Sequence, residues 1–129
     1  MIDHIGFAVR DAERSRAFYV AALAPIGMTL IMSVTPEQTE AGGTAHGFGT
    51  AGNPFFWIGD NEQVGEGTHI AFAVQTRGEV DAFHAAALQA GGSDNGGPGL
   101  RPRYDPDYYA AFVRDPDGNN IEAVTRSAA

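Results

Sequence analysis

The chain has 129 residues, with 16 acidic against 8 basic side chains and a net charge of -8. That length suits a single domain, and the negative field repels nucleic acid and anionic membrane surfaces while favouring a neutral or cationic small molecule as ligand, one with an apolar part where aromatic side chains wall the site. Cysteine is absent, which excludes disulfides, thiolate ligands and a cysteine nucleophile, and no apolar run approaches the roughly 20 residues needed to span a bilayer; strand-like sequence from Ile2 onward leaves no room for a leader, so a cytoplasmic location is expected.

In chain order, Ile2 to Val9 alternates, with Ile5, Phe7 and Val9 on one face and His4, Gly6 and Ala8 on the other. Asp11 is placed to cap a helix whose apolar positions Ala17, Phe18, Ala21, Ala22 and Leu23 follow helical spacing, and Pro25 with Gly27 stops it. Extended stretches follow at Met28 to Val34, Thr44 to Gly49 and Phe55 to Ile58. His46 faces either a cleft or solvent, and Phe48, Phe55, Phe56 and Trp57 supply an aromatic group.

The chain then repeats itself. His69-Ile70-Ala71-Phe72-Ala73-Val74 restates His4-Ile5-Gly6-Phe7-Ala8-Val9, and the register continues ungapped through Phe18/Phe83, Leu23/Leu88 and Gly27/Gly92. Thr76-Arg77-Gly78-Glu79 reads as a capping box and Gly91-Gly92 as the stop of a second helix. A glycine-rich stretch near Gly96 to Arg103, then Tyr109 to Arg114 and Asn120 to Thr125, complete the unit, with Asp115-Pro116-Asp117-Gly118 as a hairpin turn. The expectation is one α+β domain over 1–129, built from two β-α-β-β-β modules at 1–60 and 67–126, whose sheets enclose a cleft as a partly open barrel.

Alternation puts Glu122 on the cleft face of the last strand. Aligning Gly118 to Glu122 with Gly52 to Phe56 sets Phe56 at the corresponding place in the first module. His4, His69 and Glu122 form a donor set suited to Fe(II), Mn(II), Zn(II) or Ni(II), leaving positions for water or a bidentate substrate. The alternative is two strand histidines in a polar core and a solvated carboxylate. Tyr104-Asp105-Pro106-Asp107-Tyr108 reads as a loop at the cleft mouth, where Tyr104, Tyr108 and Arg103 would meet a ligand and Asp105 is either a proton-transfer group or a turn former.

Asp3 to Val9, Gly67 to Val74 and Phe112 to Val124, the last containing Asp115-Pro116-Asp117-Gly118-Asn119-Asn120-Ile121-Glu122, resemble the glyoxalase/bleomycin-resistance/dioxygenase group, the vicinal oxygen chelate superfamily. The resemblance implies paired modules in a homodimer. It also implies metal ligands on the first and last strand of each module, at His4, Phe56, His69 and Glu122. Phe56 cannot ligate, so the implied set is His-His-Glu, with Glu122 and Asp105 as candidate catalytic groups and Phe56, His46, Tyr104, Tyr108 and Arg103 as candidate substrate contacts. Two functions follow: metal-dependent lyase, isomerase or dioxygenase-type chemistry on adjacent oxygens, or sequestration of a small molecule or drug without catalysis.

Overall fold

A computed structural model describes residues 1–38, 40 and 42–129. The element order is β1 (Ile5–Ala8), α1 (Ala12–Leu23), β2 (Thr29–Val34), β3 (Ala45–Thr50), β4 (Asn53–Gly59), β5 (His69–Ala73), α2 (Arg77–Gln89), β6 (Ser93–Asp94), β7 (Gly99–Leu100), β8 (Tyr109–Arg114) and β9 (Asn120–Thr125). The first sheet has the order β1-β4-β3-β2 and the second β5-β9-β8-β6, with β7 also on β8. In each, the first strand runs parallel to the last and lies at an edge. Ser93–Asp94 and the glycine-rich stretch after it thus give two short strands on β8, β6 and β7, where the first half has the single β2 on β3.

Local chemistry sets the helix ends. Asp11 accepts a hydrogen bond from the Arg14 amide at the start of α1. Beyond Leu23 a 3-10 turn, Ala24–Ile26, carries Pro25, and Gly27 at φ 81° closes it. Thr76 and Glu79 form the reciprocal capping box of α2, as the sequence signature requires. No helix among the described residues is long and apolar enough to cross a membrane.

The helix of each half covers its own sheet, and the two helices also pack on one another. One core therefore serves both halves, with Phe18, Tyr19, Phe48, Phe56, Phe72 and Phe83 at its centre. Phe56 and Phe72 meet edge to face at 5.2 Å and join the two sheets across this core. Burying one such ring is worth about 2–3 kcal/mol. Because the helix-side faces share the core, the opposite faces do not close on each other within the chain: Gly6, His69, Ala71 and Ala73 on those faces are exposed. The sheets are curled and not closed into a barrel, which agrees with the expected partly open architecture of two modules.

Candidate functional site

Register brings the chemistry of the second sheet together. His69 pairs with Asn120 and Ala71 with Glu122 across β5 and β9, while Phe112 of β8 pairs with Glu122 from the other side. Paired residues share a face, and Ile70, Phe72, Val113, Ile121 and Ala123 fill the core. His69, Phe112, Asn120 and Glu122 therefore occupy the face turned away from α2. Although Glu122 lies on that open face, it is only 2% exposed. Tyr108 covers it, donating its hydroxyl to Oε2 at 2.5 Å. The other carboxylate oxygen, Oε1, lies 3.1 Å from His69 Nε2.

The imidazole is held from three directions. Its Nδ1 donates to the Asn120 carbonyl at 3.1 Å, which in the neutral ring leaves the lone pair on Nε2, the nitrogen facing Glu122. Phe112 stacks beneath it, with centroids 6.3 Å apart and planes at 22°. Arg101 lies over the same Phe112 ring at 5.3 Å and is tied down by the carbonyls of Gly97 and Gly99. Burial, reinforced by the hydrogen bond to Glu122, pushes the Tyr108 phenol up to about 12, so it remains a proton donor to the carboxylate at neutral pH.

This pair fits a divalent cation. The buried Glu122 carboxylate is met by His69 and by the Tyr108 hydroxyl, and no guanidinium reaches it among the described residues. Two ligands at about 2.1 Å from one ion and at right angles would stand about 3.0 Å apart. The observed 3.1 Å between Nε2 and Oε1 matches that spacing. The third expected donor is elsewhere: His4 precedes β1, is exposed and bonds Asp3 at 2.8 Å, and no group of three His, Asp or Glu side chains able to hold a metal exists among the described residues.

Several expected contacts are corrected. Phe56 is fully buried against Phe7, Tyr19, Phe48 and Phe72, so it is a core residue and not a wall of a site. The counterpart of Glu122 is Trp57: Gly6 pairs with Trp57 as Ala71 pairs with Glu122. The offset that carries His4 to His69 also carries Trp57 to Glu122, and that signal is present in the sequence. His46 is 3% exposed on the helix side of β3, with Nδ1 2.8 Å from Ser33 Oγ and Nε2 3.5 Å from Glu13 of α1. It therefore touches no open face.

The loop before β8 is placed as expected, with divided roles. Tyr108 meets Glu122, whereas Tyr104 is mostly exposed and packs edge-on against Tyr108 at 5.2 Å. Asp105 acts as the turn former, accepting from the Asp107 amide at 2.9 Å, with its other oxygen 3.7 Å from Arg126. Arg126 in turn lies 5.0 Å over the Tyr108 ring. Arg103 is exposed in the turn beside Leu100 and Tyr104.

The Asp115 to Asn119 turn has a role that sequence reasoning missed. Asp115 is 4% exposed and accepts from the Tyr19 hydroxyl, the Asp117 amide, and both the amide and side chain of Asn119. Asp117 reaches back to the start of α1, accepting from the Arg10 amide and guanidinium and from Ser15. The turn fastens the last hairpin of one half to the helix of the other.

The sequence matches the Glyoxalase/Bleomycin resistance protein/Dioxygenase superfamily over residues 1–123, and the chain belongs to that family. It is similar to a glyoxalase/bleomycin resistance protein from Albidiferax ferrireducens T118, with 32% identity, TM-score 0.76, and 98% of this chain and 99% of that one covered. A metallothiol transferase, FosB, from Shouchella clausii is 27% identical over 99% of this chain and 82% of its own. The same fold appears in a mutant of the fosfomycin resistance protein FosX from Listeria monocytogenes, complexed with Mn(II) and 1S,2S-dihydroxypropylphosphonic acid. That match has 21% identity and TM-score 0.69, covering 96% of this chain and 90% of that one.

Proposed function

We propose that the protein is a divalent-metal enzyme acting on a small molecule with adjacent oxygens, and that it works as a homodimer. The observation that carries this is the buried Glu122 carboxylate with one oxygen capped by Tyr108 and the other 3.1 Å from Nε2 of His69. A bound ion would supply Lewis-acid polarisation of the substrate oxygens. His69 and Glu122 would hold it, Asn120 and Phe112 fix the imidazole, and Tyr108 keeps Glu122 from turning to solvent. His4 of a second copy would complete a His-His-Glu set. The edge positions of β1 and β5, the exposed Ile2 and Ile5, and the small open-face residues Gly6, Ala71 and Ala73 support such an assembly, in which the first sheet of one copy covers the second sheet of the other.

Sequestration without chemistry is the second reading, favoured by Trp57 standing where symmetry would place another carboxylate. The test is metal uptake. Metal-free protein should melt at higher temperature on addition of Mn(II), Fe(II), Zn(II) or Ni(II), by the linkage term RT ln(1 + [L]/Kd), and Glu122→Gln should abolish the rise. Equal melting of wild type and variant with every metal would overturn the metal reading and leave sequestration. Light scattering giving the 13.6 kDa mass of one chain at micromolar concentration would overturn the dimer.

A further inference from the structure

Away from the second sheet, side chains from three elements stand in line at the outer edge of the first. Ser33 of β2 pairs with His46 of β3, so the two share the helix side of that sheet, and Glu13 lies in the first turn of α1. Ser33 Oγ is 2.8 Å from His46 Nδ1, and His46 Nε2 is 3.5 Å from Glu13 Oε1. The imidazole is buried, whereas Ser33 and Glu13 are exposed. His46 Nε2 has no hydrogen-bond partner despite its burial. Placing the ring proton there turns Nε2 into a donor facing the Glu13 carboxylate and leaves Nδ1 to accept the Ser33 hydroxyl; the reverse tautomer would set a bare lone pair against that carboxylate. Of the charged groups around the ring, Glu13 of α1 and Asp60 beyond β4 favour its protonation and Arg16 of α1 opposes it, while its β4 neighbour Ile58 is apolar. Burial outweighs them and lowers the pKa from 6.5, which keeps the imidazole neutral and able to take a proton at pH 7.

We infer that Ser33, His46 and Glu13 form a second reactive site, in which Ser33 is a nucleophile toward small uncharged activated esters. The three residue types suit the roles of nucleophile, general base and orienting carboxylate. Ser33 Oγ bonds to the acyl carbon and its proton passes to His46 Nδ1. The ester C–O bond then breaks, and the leaving alcohol takes up that proton. A water that gives its proton to the same Nδ1 hydrolyses the acyl-serine to a carboxylic acid and restores Ser33. In each step the imidazolium carries its Nε2 proton toward Glu13, whose other oxygen is held by Arg16 at 3.1 Å. β2 is an edge strand, which leaves Ser33 open to an ester from solvent, and Glu13, Asp60 and the net charge of -8 disfavour an anionic one. The site uses neither His69 nor Glu122 and needs no metal.

The experiment mixes chelator-treated full-length protein with p-nitrophenyl acetate, follows release of p-nitrophenolate, and maps the acetyl group by peptide mass. Acetylation of Ser33 is expected. Ser33→Ala should remove it, and His46→Gln should slow it by roughly 100-fold or more. Glu13→Gln should slow it only a few-fold, because an exposed carboxylate supports the imidazolium weakly. Ser93→Ala, at an exposed serine of the other sheet, should leave it unchanged. The wild-type rate should hold as pH falls through 6.5 and decline only on further acidification, as the lowered pKa of His46 requires. Absence of acetyl from Ser33, or a His46→Gln variant that reacts as fast as wild type, would overturn the proposal. Should His46→Gln fail to fold, the wild-type rate between about pH 5 and 8 decides: the decline on acidification supports His46 as the base, and a rate without it overturns that role.

Discussion

Replacing Asp115 by alanine should be among the most damaging single changes available outside the aromatic core. Its buried carboxylate receives four hydrogen bonds: 2.5 Å from Tyr19 Oη, and 2.9 Å each from the Asp117 amide, the Asn119 amide and the Asn119 side chain. Removing it strands buried donors, each costing about 1–3 kcal/mol, though the turn can relax and return some of them to water. Tyr19 cannot relax in this way, because it is fully buried between Phe18, Phe48 and Phe56. A net loss of about 3–5 kcal/mol is expected, a large share of the roughly 5–15 kcal/mol typical of a domain. For a chain of this size that lowers Tm by about 10–20 °C. Urea unfolding followed by circular dichroism should show a lower midpoint at an unchanged slope. Tyr19→Phe alone should cost about 1–2 kcal/mol, and the double variant should fall short of the sum by about 1 kcal/mol or more, because the two groups share one bond. A loss below about 1 kcal/mol for Asp115→Ala would refute the view that this turn fastens the halves together.

Tyr108→Phe should lower the stability of metal-free protein by about 1–3 kcal/mol, because the buried Glu122 loses a donor, and should weaken Mn(II) affinity by about 10-fold or more, read by calorimetry; equal affinity would deny Tyr108 a part in orienting Glu122. Burial and the adjacent Asp115 raise the Tyr19 phenol well above its ordinary 10, so the folded state holds this proton more tightly than the unfolded chain does. The stability it confers is therefore complete below pH 10 and is lost as pH rises beyond it, a decline that Tyr19→Phe should flatten in alkaline melts. His46 behaves in the opposite direction: burial lowers its pKa from 6.5, so its contribution is present above pH 6.5 and falls away on acidification, and His46→Gln should reduce that acid sensitivity.

The strands and helices are legible where the signal is local. Two-residue alternation places β5 and β9, and Asp11, Thr76 and Glu79 announce the helix starts through the donors they satisfy. The Glu122 and His69 pair is legible too, because parity alone puts both on one face of the second sheet. The place of His4 is not, since whether it meets that pair depends on how the two sheets are oriented about their common core, which no local pattern encodes, and here it stands apart, exposed and bonded to Asp3. The confusion of Phe56 with Trp57 has a geometric cause. Matching the turn glycines Gly52 and Gly118 assumes equal hairpins, but β3 and β4 are joined through Ala51 and Gly52 with a bulge after Phe48, whereas β8 and β9 are joined by the longer Asp115 to Asn119 turn. The direction of His46 is hidden because its strand is rich in glycine, and glycine erases the apolar pattern that would show which face meets the helix.

The Asp115 to Asn119 turn also changes what a likeness through this segment can mean. Its polar atoms are spent on Tyr19, Arg10, Ser15 and its own backbone, and none is turned toward His69 or Glu122. The string of residues that most readily betrays kinship is thus a joint of the scaffold, selected by what the architecture demands. A descendant could trade every ligand on the open faces and still carry this signature intact. Kinship read from the joint speaks of ancestry and shape, and the reaction must be read from the few side chains that the joint leaves free to vary.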